Sequence, residues 1–262
     1  MPAPPSGPSR RLQRASRAGV RVAGGVMAAG NRMAITSNAG SDAARGRLRA
    51  RPVDAPVGPA HPAGPHPIGL GSRRDGLLRV PSGEGTGPLP LIVMLHGAGG
   101  HAAGTLRLIE DAAPGALILA PESRGPTWDV ILGAYGPDVS FLDTALREMF
   151  GRHRVDPRRV ALAGFSDGAS YALSLALGNG DLFTHVLAFS PGFAAPPDPV
   201  GRPRIFVSHG VSDEVLPIGP CSRRLVPRFR AAGYEVRYRE FPGGHFVPPE
   251  LASEAVAMLA EG

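Results

Sequence analysis

Ser166 lies at the centre of Gly164-Phe165-Ser166-Asp167-Gly168, directly after the apolar run Val160-Ala161-Leu162-Ala163. Glycines two residues to either side are what a sharp strand-to-helix turn needs, because a Cβ at either position would crowd the crossing. Such a turn pushes the serine hydroxyl out, where it can attack an electrophile. A serine hydroxyl is a weak nucleophile at neutral pH, so it needs a base, and that base needs a carboxylate to hold one tautomer. Downstream the chain offers Asp213, in His209-Gly210-Val211-Ser212-Asp213, and then His245, in Gly243-Gly244-His245. The three residue types together could perform acyl transfer to Ser166 and hydrolysis of the acyl group.

Each position has competitors. His209 also follows an apolar run, but it precedes Asp213. Glu214 and Asp198 are alternative acids, Glu214 adjacent to Asp213 and Asp198 in a Pro-rich link. His96 precedes the serine and is expected to shape its own loop. His61, His66, His101, His153 and His185 carry no supporting pattern. Acyl transfer also needs two N–H donors for the tetrahedral oxyanion. Asp167, following the serine, would supply one. Ala98, within His96-Gly97-Ala98-Gly99-Gly100, would supply the other. This Gly-rich loop has neither a Gly-Lys-Ser/Thr ending nor a helix-opening GxGxxG, so phosphate cradling is disfavoured.

These residues need a scaffold that delivers four loops to one edge. From Asp75 onward, short apolar runs alternate with helical patterns. Strands are expected at Asp75–Val80, Leu89–Leu95, Ala116–Ala120, Val160–Ala163, His185–Phe189, Ile205–Ser208 and Tyr234–Phe241. Helices are expected at Ala102–Ala113, Asp138–Arg152, Ala169–Leu177, Ser222–Ala232 and Pro248–Leu259. Near-continuous apolar strands suit a sheet buried on both faces, and the alternation argues for an α/β fold with a mainly parallel sheet. Ligands of such sheets sit beyond the carboxyl ends of the strands, where all four loops fall.

With these motifs in hand, the chain from about Ser72 to Leu259 resembles the α/β-hydrolase-fold serine esterases. It is similar to the small phospholipase/carboxylesterase and polyhydroxybutyrate-depolymerase-like families. The resemblance rests on His96–Gly100, Gly164–Ala169, His209-Gly210-x-x-Asp213-x-x-x-Pro217 and Gly244-His245, in the order serine, acid, histidine. It implies metal-independent, cofactor-free hydrolysis of a small-molecule carboxylic ester through an acyl-serine intermediate. A peptidase of the same fold and a non-catalytic binding protein are the rival readings. The link from Pro191 to Pro203 is too short for a large cap domain. Trp128 and Tyr135, in the long loop 121–137, and Phe165, Leu216, Ile218 and Phe246 are candidate pocket-lining residues. Cys221, the single cysteine, excludes an intrachain disulfide and reads as a small buried hydrophobe.

Composition bounds the rest. At 262 residues and 43% apolar, the chain can build one sizeable core, and no window approaches a membrane span. The net charge of +6 is concentrated in residues 1–51, which carry ten arginines against Asp42 alone. A basic nucleic-acid groove on the folded part is therefore not expected, and no nucleic-acid partner is. Residues 1–70 are expected to form a leader and linker, with a catalytic domain over 71–262. Ser9-Arg10-Arg11-Leu12 resembles a twin-arginine signal, but Arg14, Arg17 and Arg21 interrupt the stretch where an apolar region belongs. A cytoplasmic location is expected, with export as the alternative.

Overall fold

A computed structural model describes residues 42–71, 73–83 and 87–261. The strands are β1 (Gly64–Pro67), β2 (Gly76–Val80), β3 (Leu89–Leu95), β4 (Leu117–Pro121), β5 (Val155–Phe165), β6 (His185–Phe189), β7 (Arg204–Gly210) and β8 (Val236–Phe241). The helices are α1 (Ala102–Leu106), α2 (Pro137–Phe150), α3 (Asp167–Leu177), α4 (Ser222–Ala231) and α5 (Pro249–Ala257). The strands form one sheet in the order β1-β2-β4-β3-β5-β6-β7-β8. Both pairings of β2, with β1 and with β4, are antiparallel. Every pairing from β4 through β8 is parallel.

Parallel strands need crossovers, and the helices supply them on both faces. The sheet therefore separates two apolar layers. Val93, Leu162, Val186 and Val207 face one layer with Trp128, Leu142, Leu146, Tyr171 and Leu175. Ile92, Met94, Ala161, Leu187 and Phe206 face the other with Ile109, Ala255 and Met258. Central positions such as Leu91, Val160 and Val186 are fully buried, which is why these strands read as unbroken apolar runs. Among the described residues, no helix is long and apolar enough to cross a membrane.

Two expectations need correction. The helix expected over 102–113 stops at Leu106 and continues as turns, with Gly104 inside it and Pro114 beyond. The leader and linker assigned to 1–70 is displaced from Asp42 onward; residues 1–41 lie outside the described residues. Leu48 and Ala50 are buried against the domain. The Leu48 N–H donates to Asn179 Oδ1 at 2.8 Å, and Asn179 Nδ2 donates back to the Gly46 carbonyl at 2.7 Å. The Arg49 and Ala50 N–H groups both reach Asp143 Oδ1, and Arg47 and Arg51 pair with Asp181. Further along, His61 Nδ1 lies 3.1 Å from His153 Nε2, with the rings stacked. Burial, first, and the neighbouring His61 and Arg152 charges hold the His153 pKa down at about 4. β1 then adds an antiparallel edge strand. The segment docks through specific polar contacts and scattered apolar anchors at Ala43, Leu48, Ala50 and Ile68, so it carries no periodic pattern.

Candidate active site

The carboxyl ends of β3, β5, β7 and β8 deliver the four loops to one edge of the sheet. β5 turns into α3 at Ser166 with φ 58° and ψ −121°, a conformation that L-residues rarely hold. The two glycines make this possible. A Cβ on Gly164 would stand 2.2 Å from the Gly168 carbonyl oxygen. One on Gly168 would stand 2.4 Å from the Leu95 carbonyl oxygen and 2.5 Å from that of His96. The helix start is thus pressed against both its own strand and β3. The Ser166 N–H is tied to the Phe189 carbonyl at 2.9 Å, which fixes the turn against β6.

Asp213 and His245 come together because the end of β7 packs tightly on the loop after β8. A Cβ on Gly210 would lie 2.2 Å from the Gly244 carbonyl oxygen, and the Ser212 N–H donates to the Gly243 carbonyl at 2.9 Å. His245 Nδ1 is 2.6 Å from Asp213 Oδ2. A carboxylate only accepts, so Nδ1 carries the proton and Nε2 keeps a lone pair. Oδ1 of Asp213 accepts the Val215 and Leu216 N–H groups at 3.0 and 2.8 Å. Burial pushes this carboxyl up, but the Leu216 amide and His245 outweigh it and hold it below the usual carboxylate range.

His209, set aside as a base on chain order, sits on the other side of the same carboxylate. Its Nε2 is 2.7 Å from the Leu216 carbonyl and 3.3 Å from Asp213 Oδ2. The carbonyl can only accept, so Nε2 bears the proton and Nδ1 accepts from the Ser222 hydroxyl at 2.7 Å. Burial lowers its pKa. His209 therefore braces Asp213 and has no free nitrogen to act as a base.

The hydrogen bonds that join Asp213 to His245 do not extend to the Ser166 hydroxyl. His245 is placed instead by its ring, 4.7 Å from that of Phe165, the residue before the serine. Catalytic hydrogen bonds of this kind are commonly loose in a free enzyme and tighten on the reacting group. Ser166 itself is 9% exposed. Ala98 sits on the loop after β3, where neighbouring Gly97 touches the serine: a Cβ there would be 3.2 Å from Ser166 Cβ. Asp167 opens α3, so its N–H has no intrahelical acceptor.

The pocket expectations fare unevenly. Phe165 lines a cavity of about 200 Å³ with Gly97, Ala98, Gly104, Thr105 and Leu108. Phe246 is 48% exposed beside His245, packed edge-on against Phe241. Leu216 faces the chain after β6, its methyl groups near Gly192. Trp128 and Ile218 do not line the cavity: both are buried, Trp128 completely, stacked on Tyr171. Tyr135 packs over Gly46 and donates its hydroxyl to the Ala195 carbonyl. Cys221 is buried as expected. A larger cavity of about 470 Å³ lies near the amino end of β3, lined by residues such as Leu89, Pro114 and Leu259, without a serine, histidine or carboxylate.

Comparison with known proteins finds esterases. A family model described as "Putative esterase" matches residues 141–216, which hold most of α2, the Ser166 turn and Asp213. "Putative esterase NocK" of Nocardia uniformis subsp. tsuyamanensis is 31% identical over 146 residues, 51% of this chain and 42% of that protein. The chain thus spans less than half the length of that relative. Among solved structures, esterase PE8 aligns with a TM-score of 0.56 at 24% identity, over 71% of this chain and 97% of the other. The Bacillus cereus carboxylesterase aligns at 0.55 and 19% identity, over 70% and 92%. A carboxylesterase from Mesorhizobium loti aligns at 0.54 and 22%, over 72% and 95%. At these identities the solved structures establish the fold, and the family model falls on the segment that carries the serine turn. The chain has the α/β-hydrolase fold of these esterases, and the segment that carries its serine turn matches an esterase family model.

Proposed function

We propose that this protein hydrolyses carboxylic esters of small or medium acyl groups through an acyl-serine intermediate. The observation that carries the reading is the Asp213–His245 pair, hydrogen-bonded at 2.6 Å, on the same sheet edge as a serine held at positive φ. In this mechanism Ser166 Oγ attacks the ester carbonyl carbon while His245 Nε2 takes the hydroxyl proton. The carbonyl oxygen becomes an oxyanion facing the Ala98 and Asp167 N–H groups. Collapse of the tetrahedral species breaks the bond to the alcohol, which leaves with the proton from His245. Water, deprotonated by the same nitrogen, attacks the acyl-serine, and a second collapse returns the serine and releases the acid. Asp213 keeps the proton on Nδ1 throughout and stabilises the imidazolium.

The cavity of about 200 Å³ beside the oxyanion loop supports the size of the acyl group. Gly97, Gly100 and Gly104 give it room close to the serine, while Leu108 and Phe165 make its walls apolar. A panel of p-nitrophenyl esters alongside the matching anilides tests the assignment. Acetate and butyrate esters should turn over fastest, long-chain esters more slowly and the anilides negligibly. Turnover confined to anilides would support the peptidase reading, and no turnover of any member would support a binding role.

A further inference from the structure

An oxyanion hole accelerates acyl transfer only if both donors are already fixed when charge develops. In this chain the two proposed donors sit on separate pieces of backbone. Asp167 opens α3, while Ala98 lies in a loop with glycines at 97, 99 and 100, a composition that does not hold itself still. Three consecutive residues of the loop after β4 reach both pieces.

Buried Trp128 donates its Nε1–H to the His96 carbonyl at 2.8 Å. The Pro126 carbonyl accepts the Gly99 N–H at 2.9 Å. Ala98 is therefore pinned from one residue before Gly97 and from the residue after. Between these two contacts, Thr127 turns the other way and donates its hydroxyl to Asp167 Oδ2 at 2.7 Å. That contact steadies the first residue of α3. It also fixes a carboxylate that, if free to swing, could approach the developing oxyanion and oppose it.

The tripeptide is itself anchored. The Trp128 indole lies between the rings of His96 and Tyr171, at 4.8 and 5.2 Å. Behind it, Asp129 Oδ2 accepts the Gly136 and Asp138 N–H groups, and Asp138 accepts the Arg124 and Asp129 N–H groups. A loop spanning the residues between β4 and α2 is thus tied across its base.

We infer that Thr127 and Trp128 are positioning residues that set the spacing of the oxyanion hole by gripping the Ala98 loop and the start of α3 at once. The inference rests on the esterase reading of Ser166. Three variants of the full chain test it: Trp128→Phe, which keeps a stacked ring and removes the N–H; Thr127→Val, which keeps the shape and removes the hydroxyl; and Thr127→Ser, which restores it. Steady-state hydrolysis of p-nitrophenyl acetate, inhibition by an arylboronic acid and thermal midpoints are measured for each.

Trp128→Phe and Thr127→Val should each lower kcat roughly tenfold to a hundredfold, with KM changed by less than about twofold. Boronate inhibition should weaken in parallel, because its tetrahedral adduct uses the same donors. Thr127→Ser should recover most of the loss. If Trp128→Phe does not fold, Thr127→Val and its serine rescue decide the matter. Wild-type kcat in folded Thr127→Val, a loss in KM alone, or a serine variant no better than valine would overturn the inference while leaving the esterase reading intact. A wild-type protein inert to esters would overturn both.

Discussion

Asp213→Asn is expected to lower kcat by about four orders of magnitude while the protein stays folded. The reason is a tautomer. Asp213 Oδ2 accepts the proton of His245 Nδ1, which leaves Nε2 free as the base. The Val215 and Leu216 amides hold Oδ1, so an asparagine there keeps its carbonyl oxygen facing them and turns its NH2 toward His245. Nδ1 must then accept, the proton moves to Nε2, and the base is lost. The same NH2 would confront the His209 Nε2–H, 3.3 Å from Oδ2, so a modest loss of stability should accompany the loss of rate. His245→Ala should cost at least as much in kcat, and the double variant little more than the worse single one, because the residues act as a unit. Because folded Asp213 is held below the usual carboxylate range, the carboxylate stabilises the fold at neutral pH. That contribution disappears only as pH falls through its depressed value. Stopped-flow and steady-state kinetics, with circular dichroism as a folding control, check these outcomes; near-wild-type turnover in either single variant would remove that residue from its assigned role.

Gly168→Ala is expected to destabilise the fold by about 3 kcal/mol or more and to abolish activity in whatever remains folded. The added methyl would meet the Leu95 and His96 carbonyl oxygens at 2.4 and 2.5 Å. These belong to the backbone of β3 and the loop that follows it, where nothing can rotate aside. Relief would require α3 to lift from the sheet, separating Asp167 from Ala98. Gly115→Ala is the control: a Cβ there meets nothing within 4 Å, and its stability should change by less than about 0.5 kcal/mol. Urea denaturation of the pair separates the two cases. Equal midpoints would show that the turn does not depend on the close approach at Gly168.

Much of this architecture is legible in the sequence. Strands buried on both faces must be apolar throughout, so Leu89–Leu95 and His185–Phe189 announce themselves, and the loops with chemistry follow directly after such runs. The glycine motifs were legible for the same reason: Gly164, Gly168 and Gly210 each stand where backbone meets backbone. What did not read from sequence depends on contacts between distant parts of the chain. Leu48 and Ala50 dock through Asn179 and Asp143, about a hundred positions away, and leave no local pattern. Trp128 read as a pocket wall because an aromatic residue in a loop at the catalytic edge gives no direction. Its partner is the main-chain carbonyl of His96, which no side-chain pattern encodes. Chain order disfavours His209 as a base, but its role as a brace depends on the Leu216 carbonyl and Ser222, which claim its two nitrogens.

The central claim is that Ser166 is the nucleophile, and one measurement tests it most directly. The full chain is treated with a fluorophosphonate ester, digested, and the modified peptide located by mass spectrometry. A single adduct on Ser166, absent from Ser166→Ala and strongly slowed in His245→Ala, is the predicted result. An adduct on any other residue, or labelling of Ser166→Ala at the wild-type rate, would contradict it.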